Sequence, residues 1–277
     1  MADFTPNMSG TVELDNSLIK AYSDMVLFEN GQAQILEGLV DVKVDIGAKT
    51  IGMTKYTDLP LATTPLVERE RSPGMKMADS EVTLTPIEYG DHITLTSLAS
   101  LQSGGKVDMA AVRLLATNLA RTQDALIVQA LMTAPAGNKE ASAVSGAQLD
   151  GQYVKLASAS VPMFGDEYVA VMNEAQIAVL RAESGWYDVK KYENATSVLK
   201  NEVGLYKGHR IVRHQGIAAN HAISLGAGAL GKAVSKPVGI IAKAPVDEMN
   251  RFPTLAWYGV FCYGLIDTTA VQILTGV

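Results

Sequence analysis

Residues able to act as nucleophile, base or metal ligand are scarce in this 277-residue chain, which has one cysteine, Cys262, and four histidines, His92, His209, His214 and His221. His209 and His214 come nearest to chelating spacing. They lie five apart in GHRIVRH, which reads as a strand, so they point to opposite faces and cannot close on one ion. Ordinary polar strand positions are expected for both. Cys262 sits in the apolar run WYGVFCYG with nothing basic beside it, and reads as a small buried hydrophobe. Asp166, Glu167, Glu174 and Glu183 surround a short helical pattern, where acids in a first turn favour the macrodipole rather than form an acid–base pair. GAGALG, Gly226 to Gly231, has neither the Lys-Ser/Thr of a P-loop nor an acidic partner at dinucleotide-fold spacing, and reads as a tight turn before a strand. No nucleophile, base or ligand set converges, so neither an enzyme nor a cofactor or metal site is expected.

The elements that carry these residues follow from composition and period. Hydrophobic residues make up 48% and charged residues 19%, enough apolar content for a sizeable core. A net charge of −6 argues against a duplex-gripping surface, which needs clustered Lys and Arg. With one cysteine no internal disulfide forms, which fits a reducing compartment. The N-terminus lacks the basic and apolar regions of a signal peptide, and no apolar run approaches the ~18 residues of a membrane span. A soluble cytoplasmic chain with no membrane partner is expected.

Asp15-Asn16-Ser17 reads as the cap of an amphipathic helix through Leu18, Ile19, Tyr22, Met25 and Val26, followed by a short helical pattern at Ile35, Leu36 and Leu39. From Val42 the period changes to two: Val42, Val44, Ile46, Ile51 and Met53 read as one strand. Thr57 to Leu66 is extended loop, and Val82 to Leu95 a returning strand bent at Pro86. Asp108 to Thr133 contains no Gly or Pro and reads as an unbroken helix of about 26 residues, roughly 39 Å long. Its expected face is Ala111, Leu114, Leu115, Asn118, Leu119, Thr122, Ala125, Leu126 and Leu131. Residues 137–165, rich in Ala, Ser and Gly, read as loop. Tyr168 to Met172 reads as a strand feeding Asn173, the N-cap of a helix. Further strands close the chain, giving an α+β order without internal repeats.

Between the arms of the long hairpin stands LVERERSPGMKMADSEV, with Glu68, Arg69, Glu70 and Arg71 alternating in sign before the Pro73-Gly74 turn. Each arm, at ~3.3 Å per residue over some 15 residues, would reach roughly 50 Å, beyond a core radius of gyration of roughly 19 Å. A two-stranded ribbon of that length is unstable in water without cover, and neighbouring subunits would supply it. In an extended chain the acids would face one side and the arginines the other, a strip suited to register with a complementary surface.

These stretches resemble the major capsid proteins of tailed bacteriophages, with the Hong Kong 97-type fold. Thr64-Pro65-Leu66-Val67-Glu68 is similar to a "TPL-x-E" run before the Pro-Gly turn of the family's extended loop, and Tyr89-Gly90-Asp91 to its returning strand. The Asp108–Thr133 helix is similar to the spine helix, NEVGLYKGHRIVRH to an axial strand pair, and WYGVFCYGLID to the last peripheral strands. The resemblance implies an N-terminal arm over 1–41, hairpin and peripheral strands over 42–98, spine helix over 99–140, axial domain over 141–250 and closing strands over 251–277. It implies a structural protein that assembles in the host cytoplasm into pentamers and hexamers of an icosahedral shell, the virion capsid, around double-stranded DNA held without sequence-specific contacts. A scaffold protein and a portal would be partners, with room for a decoration protein. Pro65, Glu68, Arg69, Glu70, Arg71, Pro73 and Gly74 would form the intersubunit tip. The scaffolding segment that some members carry has no counterpart before the helix expected near residue 15, so either a separate scaffold or a processed chain is expected. An encapsulin-like compartment enclosing cargo enzymes is the alternative on the same fold.

Overall fold

The computed structural model describes residues 25–26, 34–57, 59, 61–63, 65–66, 68–69, 71, 74–103, 106–183, 187–188, 202–243 and 251–276. Two sheets and a hairpin organise them. The first sheet has four strands, β1 (Val40–Val44), β4 (Ile87–Thr94), β11 (Leu230–Lys243) and β12 (Thr254–Leu265), in the order β1-β11-β12-β4. The second has seven: β5 (Lys139–Glu140), β6 (Tyr168–Met172), β7 (Tyr187–Asp188), β8 (Glu202–Tyr206), β9 (His209–Arg213), β10 (His221–Leu225) and β13 (Val271–Thr275), in the order β5-β13-β10-β6-β9-β8-β7. The hairpin pairs β2 (Ile51–Tyr56) with β3 (Asp79–Leu84) over six residue pairs. A short helix α1 (Ser97–Ser103) precedes α2 (Lys106–Met132), and α3 (Gly146–Ser158) and α4 (Glu174–Arg181) follow.

The 27-residue helix α2 is the beam between the sheets. Its first half buries Val112, Leu115, Ala116 and Leu119 against Val234, Leu255, Trp257 and Phe261 of the four-stranded sheet. Trp257 Nε1 donates to Asn118 Oδ1 at 2.9 Å, which satisfies the indole inside that contact. Its second half buries Ile127, Val128 and Leu131 among Val169, Val171, Val212, Ile223 and Ile273 of the seven-stranded sheet. The opposite face of that sheet, with Ala170, Met172, Ile211, Ala222 and Leu274, packs Leu149 of α3 and Ile177 and Leu180 of α4. Covered on both faces, β6 is buried at all five positions.

Several sequence expectations are corrected here. The apolar face of α2 is rotated: Leu114 is 64% exposed, whereas Val112, Ile127 and Val128 are buried. A helix packed against two different sheets buries more than one stripe, so a single-face reading of its period misplaces the edge. The strand expected from Val42 to Met53 is two strands in different sheets, broken at a turn where Gly47 takes φ +80°, and Val42 and Val44 are exposed. The bend at Pro86 is a change of sheet, because Leu84 pairs with Ile51 in the hairpin and Ile87 with Phe261 in the four-stranded sheet. Residues 137–165 are not loop throughout. Ser145 Oγ accepts from Gln148 N at 3.4 Å and opens α3, whose Gly151 lies on the open side with nothing near its missing Cβ. The expected helix through Leu18 lies outside the described residues apart from Met25 and Val26, which are helical, with Val26 buried beside Val112.

Candidate assembly interface

The hairpin root is built on missing side chains. Gly231 of β11 and Gly264 of β12 are direct partners in the ladder. A Cβ at Gly231 would overlap Met53 Sδ, and one at Gly264 would overlap Leu84 Cδ2. The two glycines thus leave a notch on the face of the sheet away from α2, and Met53 and Leu84 sit in it. Ile51 and Met53 are buried there, at 1% and 6% exposure. Lys43 Nζ donates to the Gly52 carbonyl, and Lys55 Nζ pairs with Asp267 Oδ2.

Beyond the root, cover ends. Tyr56, Leu59, Leu61, Leu66, Met75 and Met77 are all exposed, Leu61 and Leu66 at 86% and 81%. These apolar residues were not singled out in the sequence, where the charges drew attention; their density between two polar arms was the available signal. Of the expected tip residues, Pro65, Glu68, Arg69, Arg71 and Gly74 are exposed, while Glu70 and Pro73 lie outside the described residues. Arg69 has φ +76° in a turn, so the strict two-sided alternation of acids and arginines is broken at that residue. The paired ladder spans about 20 Å at ~3.3 Å per residue, shorter than the ~50 Å arms expected.

The histidines, the cysteine and the acidic residues lie elsewhere. His209 and His214 are buried rather than ordinary polar strand positions. Burial holds the His209 imidazole down at about 4, its Nδ1 lies 3.1 Å from the Lys207 carbonyl, and its Nε2 meets no partner among the described residues. His214 lies past the end of β9, with Nδ1 accepting from Gly216 N at 3.1 Å and Nε2 3.5 Å from Asp124. Asp124, buried in α2, also accepts from the backbone N–H groups of Ile35 and Leu36 and so ties the segment that leads into β1 to α2. Burial pushes the Cys262 thiol up, as suits a half-buried strand position. Glu167 takes two hydrogen bonds from Arg210, at 2.8 and 3.0 Å, and Glu174 lies 3.5 Å from both Arg181 and Arg213. Asp166 is exposed. Glu183 accepts from Gly146 N at the start of α3 and from Tyr206 OH at 2.7 Å, and that hydrogen bond, with burial, pushes the phenol up to about 12. The Gly226–Ala229 segment is the turn between β10 and β11, with Gly228 at φ +74°. No cluster of three metal-ligating side chains occurs among the described residues, and no described helix is long and apolar enough to cross a membrane.

No family model matches the sequence, and a comparison with curated proteins finds no match. Solved structures do match. The subunit of a virus-like particle from Pyrococcus furiosus is 13% identical with a TM-score of 0.62, over 93% of this chain and 99% of that one. The head structure of Helicobacter pylori bacteriophage KHP40 gives 11% identity and a TM-score of 0.66, over 88% and 90%. The capsid of Ralstonia phage GP4 gives 13% and 0.65, over 88% and 89%. With its long helix bridging two sheets and its hairpin projecting from a sheet face, the chain has the Hong Kong 97-type capsid fold.

Proposed function

We propose that this chain is a structural shell subunit, a major capsid protein that self-assembles in the host cytoplasm into the icosahedral head of a tailed phage around double-stranded DNA. One observation carries the reading: on a capsid fold, six large apolar side chains of one hairpin are each more than half exposed. Soluble monomers rarely leave such a strip bare, and an interface normally covers it. The buried carboxylates and histidines serve packing and capping, so no catalytic role is assigned. Pentamers and hexamers are the expected intermediates, with a scaffold protein and a portal as assembly partners. Negative-stain microscopy of the purified protein, alone and with the proteins of its own source, tests the reading. Closed particles of uniform diameter support it; a protein that stays monomeric in gel filtration under all those conditions rejects it.

A nanocompartment shell around cargo enzymes is the second reading, since the same fold builds the virus-like particle from Pyrococcus furiosus, whose subunit is matched over 99% of its length. Nuclease-protected DNA in particles from the native source decides for the head, and co-purifying protein cargo decides for the compartment.

A further inference from the structure

We infer that the Lys55–Asp267 ion pair fixes the direction in which the hairpin leaves the subunit, and through it the curvature at which neighbouring subunits meet. The second half of this inference rests on the shell reading; the first does not. The glycine notch locates the hairpin root, but an apolar seat of Met53 and Leu84 is non-directional and resists sliding more than tilting. The bond from Lys43 to the Gly52 carbonyl holds the inner end of β2. Lys55 lies one residue short of the outer end of the ladder, where Tyr56 pairs with Asp79. A cleft of about 880 Å³ opens there, between the hairpin at Thr57 and Ser80 and the body at Ser160, Pro162 and Thr269. The ion pair spans that gap.

Its body end is rigid. Asp267 accepts from Thr269 N at 3.0 Å and from Thr269 Oγ1 at 2.7 Å, capping the short 3-10 turn Thr268–Ala270. Burial works to raise its pKa, but the hydrogen bonds from Lys55 and Thr269 outweigh it and leave the carboxyl below the usual range. The anchor therefore stays charged at neutral pH. The lever is the paired ladder itself: its six residue pairs span about 20 Å, so a tilt of about 5° displaces its outer end by about 2 Å before the loop beyond it adds to the swing. A displacement of that size takes an interface out of register, and in a symmetric shell it recurs at every copy.

Three variants test the inference. Lys55→Met keeps the apolar stem without the charge, Lys55→Glu reverses the charge, and Lys55→Arg preserves it. Circular dichroism and urea unfolding establish that each folds. Amide hydrogen exchange at residues 54–57 and 78–81 of the subunit should be at least threefold faster in Lys55→Met and Lys55→Glu, and as in the parent for Lys55→Arg. Particles of the first two should spread in diameter or stay open, while those of Lys55→Arg match the parent. Parent-like exchange in Lys55→Met overturns the inference, and so does loss of urea stability without any change at those amides. Faster exchange with parental particle diameters removes the link to curvature. Should the parent itself form no shells, the shell reading fails, yet the exchange comparison still decides whether the pair orients the hairpin.

Discussion

At the scale of the residue, burying His209 makes the stability of the fold depend on pH. Its ring lies near those of Tyr153 and Tyr168, with centroids 6.0 and 6.2 Å away, and its folded pKa is about 4 against 6.5 in the free side chain. A depressed histidine pKa means that the folded state binds the proton less readily than the unfolded state. The contribution is therefore fully present above about pH 6.5 and is lost as pH falls toward 4, to a limit of about 3 kcal/mol. Replacing the ring with a neutral amide in His209→Gln should flatten the fall in urea-unfolding free energy between pH 7 and pH 4.5 by about 2–3 kcal/mol. An unchanged pH slope would show that the imidazole titrates freely in the folded subunit. The sequence supplied the spacing of His209 and His214, although only His209 lies in β9 and His214 follows its end. It did not reveal their burial, because the rings and helix that bury them come from distant segments.

Among the elements, α2 was legible because twenty-seven residues without Gly or Pro leave a helix little competition. Its orientation was not, since both sheets that it bridges are assembled from strands far along the chain. Leu119→Ala should cost about 2–5 kcal/mol in urea unfolding, because Leu119 is fully buried and its removal leaves a cavity. Leu114→Ala, five residues earlier, should fall within about 0.5 kcal/mol of the parent; a large loss at Leu114 would mean that its exposure is covered in the folded subunit. Helix α3 was missed for a local reason. Gly146 and Gly151 lower its propensity, and the Ser145 cap with Leu149 and Leu156 facing inward is too brief a pattern to outweigh them. The hairpin was legible as a projecting ribbon, whereas its seat required knowing that Gly231 and Gly264 become neighbours. The Pro86 signal was read, but a bend and a change of sheet look alike until β12 is in place.

For the whole molecule, the hairpin tests the shell reading most directly. Arg69 and Arg71 are exposed, so replacing both with glutamate should leave urea unfolding within about 1 kcal/mol of the parent. Across a shell the same reversal repeats at each contact, so few or unstable particles should form, with recovery as salt screens the repulsion. Leu61→Ser with Leu66→Ser should also spare the fold and impair assembly, but added salt should not rescue it, because the lost term is apolar burial. Light scattering across a salt series separates the two, and particles of parental yield from both would make the hairpin a bystander. The order in which the chain emerges from a ribosome gives the root a further meaning. Val40 finds its partner only at Leu230, and the Gly264 and Asp267 that hold the hairpin come near the end of the chain. On the shell reading, a nascent chain would display its ribbon long before it could aim it, because the strands and the carboxylate that mount the hairpin are made well after the hairpin itself; a chain stalled before Asp267 would carry the ribbon without its mounting.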